Sequence, residues 1–427
     1  MITDSLRAEY SDVIKHVSGL MENNIDEWAP RYKGYLGVLD PKSVECIRIK
    51  RAKNLFQIEK PLTRYLSITY AKEAKSTIVF DLRVYGHSIG NLRFKLNKKA
   101  KELLDAETLD RDKILKIRDS LSTVSFKRDN GRSLVQVRNL IEDKNDDLYI
   151  HLDRWIKNNI VKKLKDYSEE ILECTDAYEL LDSSISKSKS VSYSWVSPEL
   201  SELRSILQAA EDKFNLESEH SCENLLLKQL AQTDGKIKYI KHIQPVTVCD
   251  TGFFQLATCL KGSEAKKSYE NISYAKQNGG GIDILARISE GSKAELCVIE
   301  LKDKYEYPER PIKAMKQAIA YSVFLDYLIR AEQANNADLS WYSNVFTDGR
   351  PLKDSIRINV VAAMPYKAGV SNPSEISNED KSLVNEEIKI NVCGHEDTLV
   401  LHYMFFKPEA LRQYGIENGI VTSLFDK

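Results

Sequence analysis

Two acidic residues and one lysine stand in apolar stretches of the chain, where charged side chains are expensive to bury without partners. Side chains alternate along a strand, so Glu300 and Lys302 share one face of a strand predicted over residues 295–303. Asp283 interrupts a second apolar stretch directly after three glycines. If the two predicted strands are neighbours, Asp283 and Glu300 converge within reach of one metal ion.

Carboxylate and carbonyl oxygens are the ligands that Mg²⁺ prefers. Asp283, Glu300, the backbone carbonyl of Leu301 and water would form such a site, with Mn²⁺ as a substitute. Lys302 beside it would orient or deprotonate a water molecule and offset charge on a phosphate. The alternative interpretation is an ion pair between Glu300 and Lys302 at a strand end, with Asp283 in a turn.

The Glu-x-Lys tripeptide alone has no value, because it also occurs at 73–75, 264–266 and 387–389 in polar surroundings. What distinguishes the copy at 300–302 is its strand context, the upstream acid and a predicted helix over 312–330. On that helix Gln317 and Tyr321 are four positions apart and therefore share a face. They could act as a unit; alternatively, Tyr321 packs in the core and Gln317 is exposed.

These residues resemble the PD-(D/E)xK phosphodiesterase superfamily, the restriction-endonuclease-like nucleases. Gly281-Ile-Asp283 matches its first motif, Glu300-Leu-Lys302 its second, and Gln317-x3-Tyr321 matches the RecB-like branches. The resemblance covers the C-terminal half of the chain, roughly residues 215–410. It implies that Asp283 and Glu300 are metal ligands and that Lys302 is the catalytic lysine, while Gln317 and Tyr321 support the site and the DNA strand.

The superfamily often places a further acid on the first helix of its core, which is predicted here over residues 218–232. Glu223 is the first candidate because Leu226 and Leu230 place its face near the sheet, and Glu219 is the second. Either could be an ordinary exposed helical glutamate. His220 has the same ambiguity between a structural and a catalytic role.

The C-terminal half is predicted to be an α/β core with a restriction-endonuclease-like mixed sheet flanked by helices. Helices are predicted over 218–232 and 312–330, and strands or apolar segments over 243–249, 253–260, 279–288, 295–303, 356–364 and 398–406.

The N-terminal half is predicted to be mainly helical, with one β-hairpin over 77–85 and 91–96 and a long helix over 147–181. Residues 182–198 are rich in serine, which indicates a linker or, alternatively, a polar edge strand. The predicted domains are therefore 1–181, for recognition or regulation, and 199–427, the nuclease domain, joined by the linker 182–198.

Residues 83–138 contain fourteen Lys or Arg and seven Asp or Glu, a local net charge of +7. One interpretation is a surface that follows nucleic-acid phosphates, and the other is a solvated face of surface helices. The candidate contacts are Lys95, Lys98, Lys99, Lys127, Arg128 and Arg132.

The composition excludes a polybasic nucleic-acid binder, because the 427 residues carry a net charge of -1. No apolar stretch is long enough to span a membrane, and residues 1–10 contain acids and no signal-peptide core. The seven cysteines form no CxxC pair, which favours reduced thiols and a cytoplasmic location. The sequence also lacks GxxxxGK[ST], HExxH and GxSxG motifs.

The resemblance implies an Mg²⁺-dependent DNA endonuclease whose water nucleophile attacks phosphorus in line and leaves 3′-hydroxyl and 5′-phosphate ends. By analogy of architecture, restriction or phage defence is the expected setting, with a homodimer or a partner protein of a defence complex as the assembly. The alternatives are a catalytically silent DNA-docking or assembly module, and an exonuclease or RNase of the same fold.

Overall fold

The computed structural model describes most of the C-terminal half and parts of the N-terminal half. The described residues are 2–33, 35–44, 46–47, 49, 66–74, 77–84, 87–95, 124–129, 132–137, 148–152, 219–232, 242–248, 253–262, 268–277, 279–290, 293–302, 311–334, 339–347, 351–365, 386–406 and 420–423. The chain divides into two compact units. The first unit comprises Met1–Pro41, Leu216–Val246 and Phe254–Lys427, and the second comprises Lys42–Asn215 and Thr247–Phe253.

A mixed sheet lies at the centre of the first unit, as the alternating and apolar segments predicted. Its strands are β7 (His242–Pro245), β10 (Ile284–Glu290), β11 (Lys293–Leu301), β12 (Arg357–Pro365), β13 (Glu387–Val392), β14 (His395–Phe406) and β15 (Ile420–Ser423); β8 (Leu260–Lys261) and β9 (Ser273–Tyr274) form a separate pair. The order is β13-β14-β12-β11-β10-β7, with β15 also pairing with β14. Strands β11, β12 and β14 are parallel to one another, and the other pairings are antiparallel.

Helices flank this sheet. They are α1 (Ile2–Asn23), α2 (Ile25–Tyr32), α3 (Glu219–Gln232), α4 (Pro311–Ala334) and α5 (Ser340–Phe346), with short 3₁₀ turns at Tyr35–Leu39 and Tyr269–Asn271. Helix α4 is buried on almost all sides, from Ala314 to Glu332 with few interruptions, because it packs on the sheet and is covered by α1. The predicted helices over 218–232 and 312–330 are thus confirmed.

The predicted boundary of the N-terminal domain differs from the structure, because the first 41 residues belong to the first unit. Trp28 of α2 is fully buried and packs edge-on against Phe324 of α4, with 6.4 Å between the ring centroids. The hydroxyl oxygens of Tyr10 on α1 and Tyr403 on β14 are 3.4 Å apart. The amphipathic pattern of α1 was evident in the sequence, but the surface that it covers was not.

In the second unit the described segments form an antiparallel sheet. Its strands are β1 (Leu66–Ala74), β2 (Thr77–Val84), β3 (His87–Lys95), β4 (Val124–Asp129), β5 (Arg132–Val137) and β6 (Leu148–Leu152), in the order β1-β2-β3-β6-β5-β4. The predicted hairpin is confirmed as β2 and β3.

The prediction of a mainly helical N-terminal half is wrong for the described part of residues 66–152. The predicted long helix over 147–181 begins instead with strand β6, which pairs with both β3 and β5. Pairing with two neighbouring strands is a tertiary effect, and it overrides the local preference for helix. The rest of that helix and the serine-rich segment 182–198 lie outside the described residues.

The cysteines agree only in part with the expectation of reduced thiols. Cys222, Cys259, Cys297 and Cys393 are free. Cys46 is disulfide-bonded, contrary to the prediction, because sequence spacing does not show which thiols meet in space. In the described part of the chain, no helix is long and apolar enough to cross a membrane.

Candidate metal centre

The candidate centre is built on β11, whose apolar residues bury it in the middle of the sheet. Glu300 lies near the end of this strand and is 0% exposed. Lys302 follows the strand, and its backbone N–H donates to the carbonyl of Ala363 at 2.9 Å, so β12 holds it in place. The predicted placement of both side chains at the end of a buried strand is confirmed.

Asp283 approaches the end of β11 from the bend that precedes the neighbouring strand β10. Strands β10 and β11 pair antiparallel as predicted, with Ile284 opposite Ile299. Asp283 lies in a bend just before β10 and not within the strand that was predicted over 279–288. The backbone N–H of Leu301 donates to Asp283 Oδ2 at 2.8 Å, which fixes this carboxylate beside the end of β11.

The N-terminal turn of α3 supplies a third acid, and the structure favours the second candidate over the first. The ammonium group of Lys302 donates to Glu300 Oε1 at 2.7 Å and to Glu219 Oε1 at 3.1 Å. Three carboxylate oxygens lie within 4.8 Å of one another, one from each of Glu219, Asp283 and Glu300. Glu223 is buried close enough for its charge to act on Asp283 and Glu300, but it is not a member of this trio.

Burial and the mutual repulsion of the carboxylates raise the pKa values of the acids at this centre. Burial raises the pKa of Glu300 to about 7, although the adjacent Lys302 ammonium opposes the shift. Burial and then the charge of Glu300 raise the pKa of Asp283 well above its usual range. For Lys302, burial lowers the pKa, but the charges of Glu300, Asp283 and Glu219 outweigh burial and leave it well above its ordinary value.

Glu300 Oε2 is buried and makes no hydrogen bond within the described part of the structure. The alternative interpretation predicted an ion pair between Glu300 and Lys302 with Asp283 in a turn, and both features are present. It does not explain why Glu219 also converges on this lysine, or why a buried carboxylate oxygen has no donor. Three carboxyl groups share one ammonium group, so without a cation the raised pKa values of Glu300 and Asp283 favour protons on these acids, and a bound cation would replace those protons.

The spacing of these acids fits a small divalent cation. Mg²⁺ binds oxygen ligands at about 2.1 Å in an octahedron, so two ligand oxygens lie about 3 Å apart when adjacent and about 4 Å apart when opposite. A trio within 4.8 Å needs only small side-chain movements to reach these separations. The residues that would hold the ion are Asp283, Glu300 and Glu219, and the predicted role of the Leu301 carbonyl stays a prediction.

The structure also brings Gln317 and Tyr321 to this region. Both are buried on α4, and Gln317 Nε2 donates to the Tyr321 hydroxyl at 3.4 Å. The alternative of an exposed Gln317 is therefore wrong. Burial raises the pKa of the Tyr321 hydroxyl, and the nearby charge of Glu300 raises it further. The i,i+4 pair thus lies beside the acids, as the resemblance implied.

The predicted nucleic-acid contacts belong to the second unit. Lys95, Lys127, Arg128 and Arg132 lie in described strands, whose side chains are outside the description. Lys98 and Lys99 lie outside the described residues, as does the side chain of His220. Their predicted roles stay predictions.

Sequence reasoning gave Glu219 second place and attached no role to the glycines before Asp283. Glu219 and Glu223 are four positions apart on α3, so they share a helix face, and the face alone does not distinguish them. The position of Glu219 in the first turn of α3 was the available signal, because a helix end next to a sheet edge can approach a strand terminus.

Comparisons with known proteins give no family for this chain. No protein-family model matches it, and searches among curated proteins and among solved structures found no match.

Proposed function

We propose that this protein is a Mg²⁺-dependent nuclease that hydrolyses phosphodiester bonds in DNA. The observation that carries the proposal is the convergence of Glu219, Asp283 and Glu300 on one point, where Lys302 binds two of them and a buried oxygen of Glu300 is left without a donor. Glu300 is completely buried with two further carboxyl groups close to it, which is costly without a cation, and oxygen ligands select hard cations such as Mg²⁺.

A Mg²⁺ ion held by these carboxylates would stabilise negative charge on a phosphate and lower the pKa of a water molecule. The surrounding residues supply the other requirements. Three carboxylates raise the pKa of Lys302, so its ammonium group stays protonated at neutral pH. Lys302 therefore serves as a hydrogen-bond donor and counter-charge that orients water or phosphate, and not as the base.

Two further features support a phosphodiester substrate. The order Asp283, Glu300-x-Lys302, Gln317-x3-Tyr321 is that of the PD-(D/E)xK superfamily, and Tyr321 lies close enough to Asp283, Glu300 and Lys302 for their charges to act on its hydroxyl. The sheet that carries them is mixed, with β10 and β11 antiparallel and β11 and β12 parallel. Internal cleavage of DNA, a role in defence and target recognition by the second unit extend this proposal by analogy.

The test is incubation of the purified full-length protein with supercoiled plasmid, linear duplex, single-stranded DNA and RNA, in Mg²⁺, Mn²⁺ or EDTA. Lys302→Ala and Glu300→Gln should each lower the cleavage rate by about 100-fold or more. Lys389→Ala is the matched control, because Glu387-Ile-Lys389 has the same tripeptide pattern on β13 but Lys389 pairs with Glu396 at the surface.

Nicked or linear plasmid would show internal cleavage, whereas loss of linear substrate alone would show an exonuclease. Cleavage that survives EDTA, or that Lys302→Ala and Glu300→Gln leave intact, would refute the proposed centre. If no form of the protein cleaves while DNA still binds, the proposal fails in favour of a docking module.

A further inference from the structure

The three glycines that precede Asp283 are not equivalent. A Cβ at Gly280 would lie 2.1 Å from the hydroxyl oxygen of Tyr321, and one at Gly279 would lie 2.1 Å from the carbonyl oxygen of Thr258. A Cβ at Gly281 would meet nothing closer than 3.5 Å. None of the three has a left-handed backbone conformation, so space and not backbone freedom requires glycine at the first two positions.

The peptide of Gly280 is held firmly by the neighbouring segment. Its N–H donates to the carbonyl of Leu260 at 2.7 Å, and its carbonyl accepts from the N–H of Thr258 at 2.7 Å. The Thr258 hydroxyl donates to the same carbonyl at 3.0 Å. Two residues later, Ile282 donates to Leu256 at 2.8 Å. A new side chain that moved the segment before Asp283 would therefore strain these hydrogen bonds and carry Asp283 with it.

Tyr321 fills the space that these glycines leave open. Its ring is 2% exposed, and on another side a Cβ at Gly262 would lie 3.0 Å from its Cε1 atom. Because Tyr321 belongs to α4, its hydroxyl fixes the separation between this helix and the segment that ends in Asp283. The Asp283 carboxylate in turn accepts the N–H of Leu301 at 2.8 Å.

We propose that Gly280 and Tyr321 are positioning residues, whose contact sets the place of the Asp283 carboxylate relative to the end of β11. In this role neither residue is a metal ligand. The expected effect on metal binding rests on the proposed function. The expected effect on the hydrogen bond from the Leu301 N–H to Asp283 does not.

Gly280→Ala tests the contact directly. The added methyl group must push Tyr321 and the segment before Asp283 apart, so the Leu301 N–H loses its acceptor. Hydrogen exchange of that amide, measured by NMR on the metal-free full-length chain, should accelerate about tenfold, the effect of losing one hydrogen bond. Mn²⁺ binding, measured by calorimetry, should weaken about 10- to 100-fold, as for other groups that orient metal ligands.

Two further variants separate positioning from general damage. Gly281→Ala is the matched control, since its methyl group has room, and both measurements should stay at the wild-type value. Tyr321→Phe removes the oxygen that collides with the new methyl group and leaves Cζ as the nearest ring atom, at 3.1 Å. The double variant Gly280→Ala/Tyr321→Phe should therefore recover most of the Leu301 protection and Mn²⁺ affinity.

Wild-type exchange of the Leu301 amide in Gly280→Ala would overturn the proposal, as would equal losses in Gly281→Ala. If Gly280→Ala does not fold, the double variant decides: a folded protein supports the contact, and an unfolded one refutes it. If the wild-type protein binds no Mn²⁺, the proposed nuclease centre fails, and the exchange of the Leu301 amide still decides the positioning role.

Discussion

Replacing Glu300 by glutamine should remove the part of the pH dependence of stability that this carboxyl creates in the metal-free protein. Glu300 is completely buried, and its pKa is raised from the ordinary 4.5 to about 7. The folded state therefore binds the Glu300 proton more tightly than the unfolded state does. Its contribution to stability is fully present below about pH 4.5 and is lost as the pH rises through about 7.

The magnitude follows from the size of this shift. A shift of one pKa unit corresponds to about 1.4 kcal/mol, so the carboxyl of Glu300 alone removes about 3 kcal/mol of stability across its titration. Between about pH 5 and about pH 8 the loss is about 2.5 kcal/mol. Asp283, whose pKa is raised for the same reason, adds to the loss in the same direction.

Glutamine keeps the shape and can still accept a hydrogen bond from Lys302, but it does not titrate. The assay is urea unfolding in EDTA at a series of pH values, with the free energy of unfolding extrapolated to water. Wild-type stability should fall by about 2.5 kcal/mol more than that of Glu300→Gln over this pH range. Exposed Glu270 provides the control, since Glu270→Gln should follow the wild-type curve.

Adding Mg²⁺ extends the same experiment. An ion that binds only the folded protein, at about 100 times its Kd, stabilises it by about 2.7 kcal/mol. This gain should appear at the higher pH in the wild type and should be much smaller in Glu300→Gln. Equal pH dependence of the wild type and Glu300→Gln in EDTA would refute the claim that burial holds a proton on this carboxyl near neutral pH.

Three more substitutions have definite expected effects on the free energy of urea unfolding. Asp397→Ala should lower it by about 3–5 kcal/mol, because Arg330 and Asp397 form a completely buried ion pair. Trp28→Ala should also lower it by about 3–5 kcal/mol, because Trp28 is buried against α4. Lys302→Met should cost about 3–5 kcal/mol at about pH 8 and less at about pH 5, where Glu300, whose pKa is raised to about 7, is protonated and no longer needs the lysine as a counter-charge.

Each of these substitutions has a comparison that can contradict it. Arg330→Met/Asp326→Leu/Asp397→Leu should cost less than Asp397→Ala, because it also removes Asp326, the second buried carboxylate beside Arg330, and leaves no unpaired charge buried; an equal or larger cost would contradict the ion-pair argument. Lys15→Ala on the exposed face of α1 should change stability by less than about 0.5 kcal/mol, and a similarly small effect of Trp28→Ala would show that α2 is not part of the first unit's core. Equal costs of Lys302→Met at both pH values would argue against carboxylates that titrate beside it.

The local sequence pattern was sufficient to predict most helices and strands of the first unit. Strands β10, β11, β12 and β14 were recognisable because their apolar residues are continuous or repeat every second position, and α4 was recognisable because its apolar residues follow the helical period of 3.6 residues per turn. Strand β13 was not predicted, although its residues alternate between exposed and buried, because it is short and rich in charge. In the second unit, β6 was predicted as helix, because the decisive interactions are with strands that are distant in sequence.

The sequence by itself determined which residues could form the centre. Glu300 and Lys302 share a face because they are two apart on a strand, and Gln317 and Tyr321 share one because they are four apart on a helix. These are local geometric facts that any fold containing the elements preserves.

Only the tertiary structure decided how the elements meet. It selected Glu219 over Glu223 as the acid that contacts Lys302, because that choice depends on where α3 begins relative to the end of β11. It also placed residues 1–41 with the C-terminal unit, since an amphipathic helix specifies an apolar face but not the surface that covers it. The collision that Gly280 avoids with Tyr321 has the same origin, a close approach between segments that are distant in sequence.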